Sequence, residues 1–406
     1  DMILSIAFRN IFRQKRRSII TVLILVSGYL VMCWAMSMAE GSYNHIIDKF
    51  TQNFTGHIQI HKDGYLDSPS LYKSFDKKKF TKNWFDKKRA VKSYSFRLIS
   101  SALLYHQERS VPAKVVGVEV EGEIKTTSLD KRVKRGKYWL PEHSSMKQIL
   151  IGDGVAKSLK ADLGDKVVLI SGAYDGSIAN DIFTVRGILP SDDETSRFVI
   201  YMPLPVAQNF YYMEDQVHQV SVHLSSFHQS EKVKRDMLEN FSDKTFSFST
   251  WKEVKKEFYM AMEADKKGNQ VTFFIISFLV MFSVLNSLFM SVMERTREYG
   301  LMRALGASGS NIVFLIIWEN LILYLVALFF SLLLGTLSNL WLVYYGISLS
   351  VPIDVAGMNF QSLFGEISFF TMGVPAILIL VSVSLALVFP ILKALSVEPQ
   401  EAMRSY

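Results

Sequence analysis

The stretch MERTREYGLMRALGAS, residues 293–308, is a short charged segment between two long apolar ones. On a helix its apolar side chains form one edge, so the segment is amphipathic. The side chains of that edge are Leu301, Met302 and Leu305. Gly306 is placed to end the helix, and Ser308 or Ser310 to cap the next one. The pattern predicts a short, capped helix that serves either as a docking surface for a soluble protein or as a loop anchored to lipid headgroups.

Four runs of residues without charge identify a membrane protein. They are 18–39, 268–293, 304–353 and 367–392, the third interrupted only by Glu319. A helix needs about 20 apolar residues to cross roughly 30 Å of hydrocarbon, so the first, second and fourth runs each fit one span. The third run is too long for one span, so we expect a helix over 311–334 followed by an external loop. The first run exceeds the core of a signal peptide and no small-residue cleavage site follows it, so it is interpreted as a span.

Composition and charge indicate how the chain is oriented. Hydrophobic residues make up 49% of the 406 residues, and the 20% that are charged fall mostly outside the four runs. Lys and Arg precede the first span, lie between the second and third spans and follow the fourth, whereas the loop over 345–370 carries none. By the positive-inside rule both termini are cytoplasmic and residues 40–267 are external. The single cysteine, Cys33, lies in the first span, where a small apolar packing role is expected.

The sequence therefore predicts an α-helical membrane protein with four transmembrane helices plus a mixed α+β extracytoplasmic domain. The segments in order are a cytoplasmic amphipathic helix (1–17), the first span (18–39), the extracytoplasmic domain (40–267), the second span (268–293), a cytoplasmic helix and loop (294–310), the third span (311–334), an external loop (335–366), the fourth span (367–392) and a cytoplasmic tail (393–406). Alternating patterns in the external domain predict strands at 57–61, 96–106, 114–120, 166–171, 182–189, 198–203 and 217–224, and helices at 155–161, 205–212 and 229–240. A helix over 251–265 is expected to continue directly into the second span.

Enzyme signatures are missing from the sequence. It contains no phosphate-binding G-x-x-x-x-G-K-[ST] pattern, no H-E-x-x-H and no cysteine pair, so we expect no catalytic residue, bound cofactor or metal on this chain. His57 and His61 share one face of a predicted strand, but without a third ligand nearby an exposed polar face is favoured over a metal site. Segment 73–97 has ten Lys or Arg against two Asp. A solvated basic face is favoured there, ahead of contact with anionic lipid headgroups or an acidic partner, and nucleic acid is not expected as a partner.

Several stretches resemble one family of membrane proteins. Residues 293–308 resemble the coupling-helix signature of the ABC transporter permeases grouped with MacB, LolC/LolE and FtsX, sometimes called type VII. Four more stretches are similar to that family: LSIAFRNIFRQKRRSIIT (4–21) to its N-terminal helix and first span, GHIQIHKDGY (56–65) to the first external strand of LolC/LolE-like permeases, IGDGVAKSLKADLGDKVVLIS (151–171) to the MacB-type periplasmic core domain, and FPILKALSVEPQEAMR (389–404) to its C-terminal end. MacB carries its ATPase on the same chain, and this sequence does not, so LolC/LolE-like lipoprotein-releasing permeases are the favoured group.

The resemblance implies a mechanism and a set of partners. Such permeases lie in the bacterial inner membrane and form homo- or heterodimers docked to two copies of an ATPase subunit, which binds ATP and Mg. ATP-driven closure of the dimer would then move the external domains, a mechanism called mechanotransmission. A lipoprotein substrate, a periplasmic carrier and membrane lipids would be the other partners. The residues implied to dock on the ATPase are Glu294, Arg295, Arg297, Glu298, Gly300, Leu301, Arg303, Ala304 and Gly306.

Two further predictions concern the spans. A lipoprotein substrate would need an apolar cavity between the first and second spans of the two protomers, facing the lipid, and the residues predicted to line it are Met32, Met36, Phe274, Phe278 and Phe282. Glu319 is an acidic residue within an apolar span, where a charge costs roughly 2.5–3.5 kcal/mol at the helix centre. We expect an Arg or a hydroxyl of the bundle as its structural partner, with a role in coupling as the alternative. Alternatives to lipoprotein release are MacB-like efflux of periplasmic peptides or drugs and FtsX-like transmembrane signalling.

Overall fold

The computed structural model describes residues 2–86, 88–190, 197–241, 243–355 and 358–396. Its contacts divide the chain into two compact units. The membrane unit comprises Asp1–Asn44, Met262–Leu349 and Ser362–Tyr406, and the sheet unit comprises His45–Ala261 and Ser350–Gln361.

Four long apolar helices dominate the membrane unit. The α-helices of the described residues are α1 (Met2–Arg13), α2 (Lys15–Phe50), α3 (Lys82–Asp86), α4 (Val120–Thr127), α5 (Asp153–Leu159), α6 (Leu204–Phe210), α7 (Ser230–Glu239), α8 (Trp251–Val254), α9 (Lys256–Glu294), α10 (Thr296–Ala304), α11 (Gly309–Tyr345) and α12 (Phe369–Leu395). Of these, α2, α9, α11 and α12 are long and apolar enough to cross a membrane. The 39 residues of α9 correspond to about 58 Å at 1.5 Å per residue. Since the hydrocarbon core is roughly 30 Å thick, α9 extends well beyond it.

The four spans predicted from the charge-free runs are confirmed as helices, although their bounds differ. The expected loop from residue 335 is wrong over its first part, because α11 continues to Tyr345. Gly346, with φ of 62°, ends that helix in a conformation that favours glycine. A two-stranded sheet of Ile347–Val355 and Met358–Leu363 follows. The helix predicted to continue into the second span does so from Lys256 onward.

The membrane unit has an apolar core to which its long helices all contribute. The Tyr29 hydroxyl of α2 donates a hydrogen bond to the Met372 carbonyl of α12 over 3.0 Å. A Cβ atom at Gly28 would lie 2.6 Å from the side chain of Val280. This glycine therefore permits the close approach of α2 and α9, as small residues do between membrane helices. Cys33 is completely buried in the same core.

The sheet unit is built on one mixed sheet. The strands of the described residues are β1 (Ile58–Lys62), β2 (Phe75–Asp76), β3 (Val91–His106), β4 (Arg109–Val118), β5 (Arg135–Gly136), β6 (Gln148–Gly152), β7 (Lys166–Gly172), β8 (Ile178–Leu189), β9 (Val199–Pro203), β10 (Gln216–Val217), β11 (Gln219–Leu224), β12 (Phe246–Thr250), β13 (Ile347–Val355) and β14 (Met358–Leu363). The order is β12-β1-β11-β3-β4-β9-β6-β8-β5, with β7 against β3 and β8. Strand pairs β4–β9 and β6–β8 are parallel. The seven predicted strands are all present, whereas β6, β12 and α4 were not predicted.

His57 lies directly before β1 and His61 lies within it. Both are buried, so the prediction of an exposed polar face is wrong. His57 is 2% exposed and His61 is fully buried. The His57 ring stacks on His223, and the His61 ring stacks on Tyr65. Burial lowers the pKa of His57 to about 3 and the pKa of His61 to about 4, so both are neutral at pH 7. No three His, Cys, Asp or Glu side chains among the described residues form a metal-binding group.

Segment 73–97 is less open and less basic than its sequence indicates. Four of its aromatic side chains, Phe75, Phe80, Phe85 and Phe96, lie in the core of the sheet unit. Three aspartates from elsewhere in the unit pair with four of its lysines. These ion pairs join Lys77 and Lys78 to Asp215, Lys79 to Asp243, and Lys88 to Asp236. The expected solvated basic face is therefore reduced to the remaining exposed cations.

A buried ion pair lies inside the sheet unit. Arg97 of β3 is 7% exposed and Glu123 of α4 is 1% exposed. The Arg97 Nε donates to Glu123 Oε2 over 3.2 Å, and Arg97 Nη1 donates to the Phe54 carbonyl over 2.8 Å. Burial would raise the pKa of Glu123, but the guanidinium holds it below its usual range. Phe54 belongs to a π-helical turn, Thr51–Thr55, so the pair ties that turn to β3 and α4.

Candidate functional site

The charged segment 293–308 contains α10, which lies between the spans α9 and α11. The helix ends at Ala304, and Gly306 has a φ of 93°, as expected for a glycine that closes a helix. The Ser308 hydroxyl accepts the backbone N–H of Asn311 over 3.4 Å and so caps α11. Both end signals predicted from the sequence are confirmed.

The nine residues expected to dock on an ATPase fall into three groups by burial. Glu294, Arg297, Leu301, Ala304 and Gly306 are exposed, Glu298 and Arg303 are half-buried, and Arg295 and Gly300 are buried. The apolar edge also divides, because Met302 packs against the core while Leu301 and Leu305 are 55% and 81% exposed. Leu301 and Leu305 are thus available for contact with a soluble protein or with lipid headgroups, the two roles predicted for this segment.

Ion pairs connect this region to the N-terminal helices. Arg17 of α2 donates to the Glu294 carboxylate over 2.8 Å and also to the Ser287 carbonyl. Arg13 of α1 forms an ion pair with Glu298. The charged flank of the first span therefore binds protein groups around α10 through Arg13 and Arg17.

Glu319 has partners on two other elements. Asn10 Nδ2 of α1 donates to Glu319 Oε1 over 2.7 Å, and Arg295 Nη1 donates to Glu319 Oε2 over 2.7 Å. Arg295 Nε donates to Glu298 over 3.0 Å, and its guanidinium lies 5.5 Å from the centre of the Tyr299 ring. Burial alone would lower the pKa of Arg295, but the Glu319 carboxylate raises it above its ordinary value. The expectation of an Arg partner for Glu319 is confirmed.

A groove lies among α2, α9 and α12 of the membrane unit, with a volume of about 570 Å³. That volume is within the usual range for ligand sites. Apolar side chains of the three helices line most of it: Met36, Ala39, Phe273, Phe274, Phe278, Met281, Phe370, Val374, Leu378, Val381 and Leu385. Ser277 and Ser382 form a hydrogen bond of 2.9 Å between α9 and α12. The walls are thus suited to hydrocarbon.

Polar groups occupy one end of this groove. Lys266 of α9 and Glu40 of α2 form an ion pair of 2.9 Å. Beside them the Tyr43 hydroxyl donates to Asp265 over 2.6 Å and accepts from Asn269 over 2.9 Å. Both helices contribute to this cluster, so the groove combines apolar walls with a charged end. Such a site suits a molecule that has an apolar part and a polar part.

Three of the five residues predicted for a substrate cavity line this groove, and two do not. Met36, Phe274 and Phe278 line the groove. Met32 is completely buried, and Phe282 lies next to Phe278 on α9 but outside the groove lining.

The whole α12 wall was missed, because no sequence pattern indicates which third helix packs beside two others. The polar end left a signal in the sequence, since Glu40 and Lys266 are opposite charges, one just after the first charge-free run and the other just before the second.

Comparisons with known proteins match both units to family models of permease proteins. A model of the MacB-like periplasmic core domain matches residues 18–239, and a model of the FtsX-like permease C-terminal region matches residues 271–399. An uncharacterized ABC transporter permease of Methanocaldococcus jannaschii is 24% identical over 365 residues, which cover 83% of each chain. The lipoprotein-releasing system transmembrane protein LolC of Neisseria meningitidis serogroup B is 20% identical over 430 residues, 98% of each chain.

A solved structure is also similar. The periplasmic region of MacB from Actinobacillus actinomycetemcomitans aligns with 53% of this chain and 98% of that one, with 16% identity and a TM-score of 0.39.

Proposed function

The chain belongs to the MacB-like periplasmic core domain family of ABC transporter permeases, and from this premise we propose that it extracts lipoproteins from the bacterial inner membrane. The observation that carries the proposal is the groove, whose apolar walls end at Lys266, Glu40 and Asn269. A lipoprotein has the same two parts, since acyl chains are joined to a polar polypeptide. The similarity to LolC over 98% of the chain supports this choice of substrate.

A separate ATPase subunit supplies the energy in this proposal. Two permease chains bind two ATPase subunits through α10, whose Leu301 and Leu305 are exposed. Both termini and α10 then face the cytoplasm, and the sheet unit faces the periplasm. Closure of the ATPase pair moves α10, and α9, an unbroken helix of 39 residues, carries the motion along its length. The released lipoprotein passes to a periplasmic carrier.

The test compares two neighbouring phenylalanines of α9. Phe278 lines the groove and Phe282 does not, although they are 47% and 50% exposed. The complex with its ATPase is purified in mild detergent, and retained acylated proteins are measured by mass spectrometry with and without ATP. Phe278→Ala should lower retention several-fold, because the van der Waals contacts between its ring and an acyl chain are lost. Phe282→Ala is the matched control and should retain as much as the unchanged chain.

The same experiment separates the alternatives. Equal retention in both variants, or no acylated protein released on adding ATP, would contradict lipoprotein extraction. MacB-like export, which the match over residues 18–239 supports, predicts that apolar peptides or drugs stimulate ATP hydrolysis instead. FtsX-like signalling, supported by the match over residues 271–399, predicts a co-purifying periplasmic enzyme and no groove ligand.

A further inference from the structure

We propose that Glu319 is a positioning residue that sets the orientation of α10 through Arg295, so that α1, α10 and α11 move together. The proposal rests on the proposed function, in which α10 docks on the ATPase. Its basis is a closed ring of side chains. Glu319 accepts from Asn10 and from Arg295, at 2.7 Å each, Arg295 donates to Glu298 at 3.0 Å, and Glu298 pairs with Arg13. Because Asn10 and Arg13 both belong to α1, the ring returns to its starting element.

Burial makes the inner part of this ring strong. Arg295 is 4% exposed and Glu319 is 8% exposed. A charged hydrogen bond is stronger away from water, and a buried charge that loses its partner is strongly unfavourable. The outer pair, Arg13 with Glu298, is 62% and 40% exposed and contributes little alone. The orientation of the first turn of α10 therefore depends mainly on Glu319 and Arg295.

The short α10 needs such an external constraint. It has nine residues, and helices this short are marginal in water without tertiary contacts. Within it only Tyr299 and Gly300 are buried, and its last turn is held by a 3.0 Å hydrogen bond from Arg303 to the Leu395 carbonyl. Arg295 is the residue directly before the helix. Its contact with Glu319 therefore determines the direction in which Leu301 and Leu305 point.

A small polar cavity beside the ring makes a mild variant practicable. It has a volume of about 40 Å³ and is lined by Asn10, Gln14, Ser291, Arg295, Glu319 and Asn320 among others. That space is large enough for a few water molecules. An amide in place of the Glu319 carboxylate would therefore be solvated, and Glu319→Gln should fold.

The test measures hydrogen exchange of the α10 amides in the full chain in lipid nanodiscs, without ATPase. Glu319→Gln should speed exchange about tenfold, because it removes a charged hydrogen bond. Arg295→Met should speed it more, because it also leaves the buried Glu319 carboxylate without its countercharge. The double variant should be no faster than the faster single variant, since the two residues act through one contact. Asn320→Ala is the matched control: its amide is buried next to Glu319 but bonds only to the Ile316 carbonyl of its own helix.

Arg295→Lys separates positioning from charge balance. Lysine keeps the buried charge, so the chain should fold, but one ammonium cannot reproduce the two-sided contact with Glu319 and Glu298. Positioning predicts faster α10 exchange in this variant, whereas a role limited to neutralising Glu319 predicts no change. Unchanged α10 exchange in Glu319→Gln and Arg295→Lys would overturn the proposal.

Binding of the purified ATPase subunit to the same nanodiscs distinguishes this inference from the proposed function. If Glu319 positions α10 and the ATPase docks on α10, binding should be about tenfold weaker in Glu319→Gln and should be lost in Leu305→Glu. Faster α10 exchange with unchanged binding in every variant would support positioning and refute docking through α10. Loss of binding only in Leu305→Glu, with unchanged exchange in Glu319→Gln, would support docking and refute positioning.

Discussion

Arg97→Met breaks the buried ion pair of the sheet unit and leaves the Glu123 carboxylate without its countercharge. Breaking such a pair costs about 3–5 kcal/mol. Glu123 keeps hydroxyl donors from Ser95 at 2.7 Å and from Thr127, which places the expected cost near the lower end, at about 3 kcal/mol. Hydrogen exchange of β3 and α4 amides in the full chain reports this value. The amides that exchange by opening of the unit should exchange on the order of a hundredfold faster.

Two comparisons make this prediction refutable. Adding Glu123→Gln removes the unpaired charge and keeps an acceptor for the two hydroxyls, so the double variant should recover at least about 1 kcal/mol. Arg135→Met is the control, because its 2.7 Å pair with Asp162 is exposed and contributes about 0–1 kcal/mol. If Arg97→Met were no more destabilising than Arg135→Met, or if the double variant recovered nothing, the buried pair would not stabilise the sheet unit as argued.

Two other perturbations test the cores of the units. Burial makes protonation of His57 and His61 unfavourable in the folded state, where the pKa of His57 is about 3 and the pKa of His61 is about 4. Below the unfolded value of about 6.5 the unfolded chain binds more protons, so at pH 5 each histidine should cost about 2 kcal/mol. Hydrogen exchange of β1 at pH 7 and pH 5, corrected for intrinsic rates, checks this, and equal protection would contradict it. Gly28→Ala places a Cβ 2.6 Å from Val280 and should destabilise the membrane unit by about 1–3 kcal/mol in thermal unfolding. Gly268→Ala, with no atom within 4 Å of its Cβ, is the control and should not destabilise it.

Elements governed by local pattern were predictable from the sequence. Charge-free runs specify spans because a charged side chain is unfavourable in hydrocarbon. The runs therefore predicted the four spanning helices α2, α9, α11 and α12. Gly306 and Ser308 act within one turn of their own position, so the end of α10 and the start of α11 were also predictable. The end of α11 was misplaced because bilayer thickness limits the buried part of a helix and not its full length. Gly346, and not the membrane, ends that helix.

Contacts between distant residues required the tertiary structure. His57 and His61 have the same alternation whether their strand face is open or covered, and only the pairing of β1 with β11 and β12 brings His223 and Gln219 beside them. The groove needs α12 next to α9, a choice among similar apolar helices that no residue pattern expresses.

Glu319 shows the division between the two kinds of information. Its sequence position establishes that a carboxylate lies in an apolar span and requires a partner, because an unpaired buried charge is unfavourable. The identity of the partners was decided by packing, which brings Asn10, 309 residues away, and Arg295, 24 residues away, to the two oxygens. Hydropathy and helix-end signals depend on neighbours along the chain, so they can be recognised in the sequence alone. Hydrogen bonds and grooves depend on which surfaces meet, and that is settled only when the helices pack.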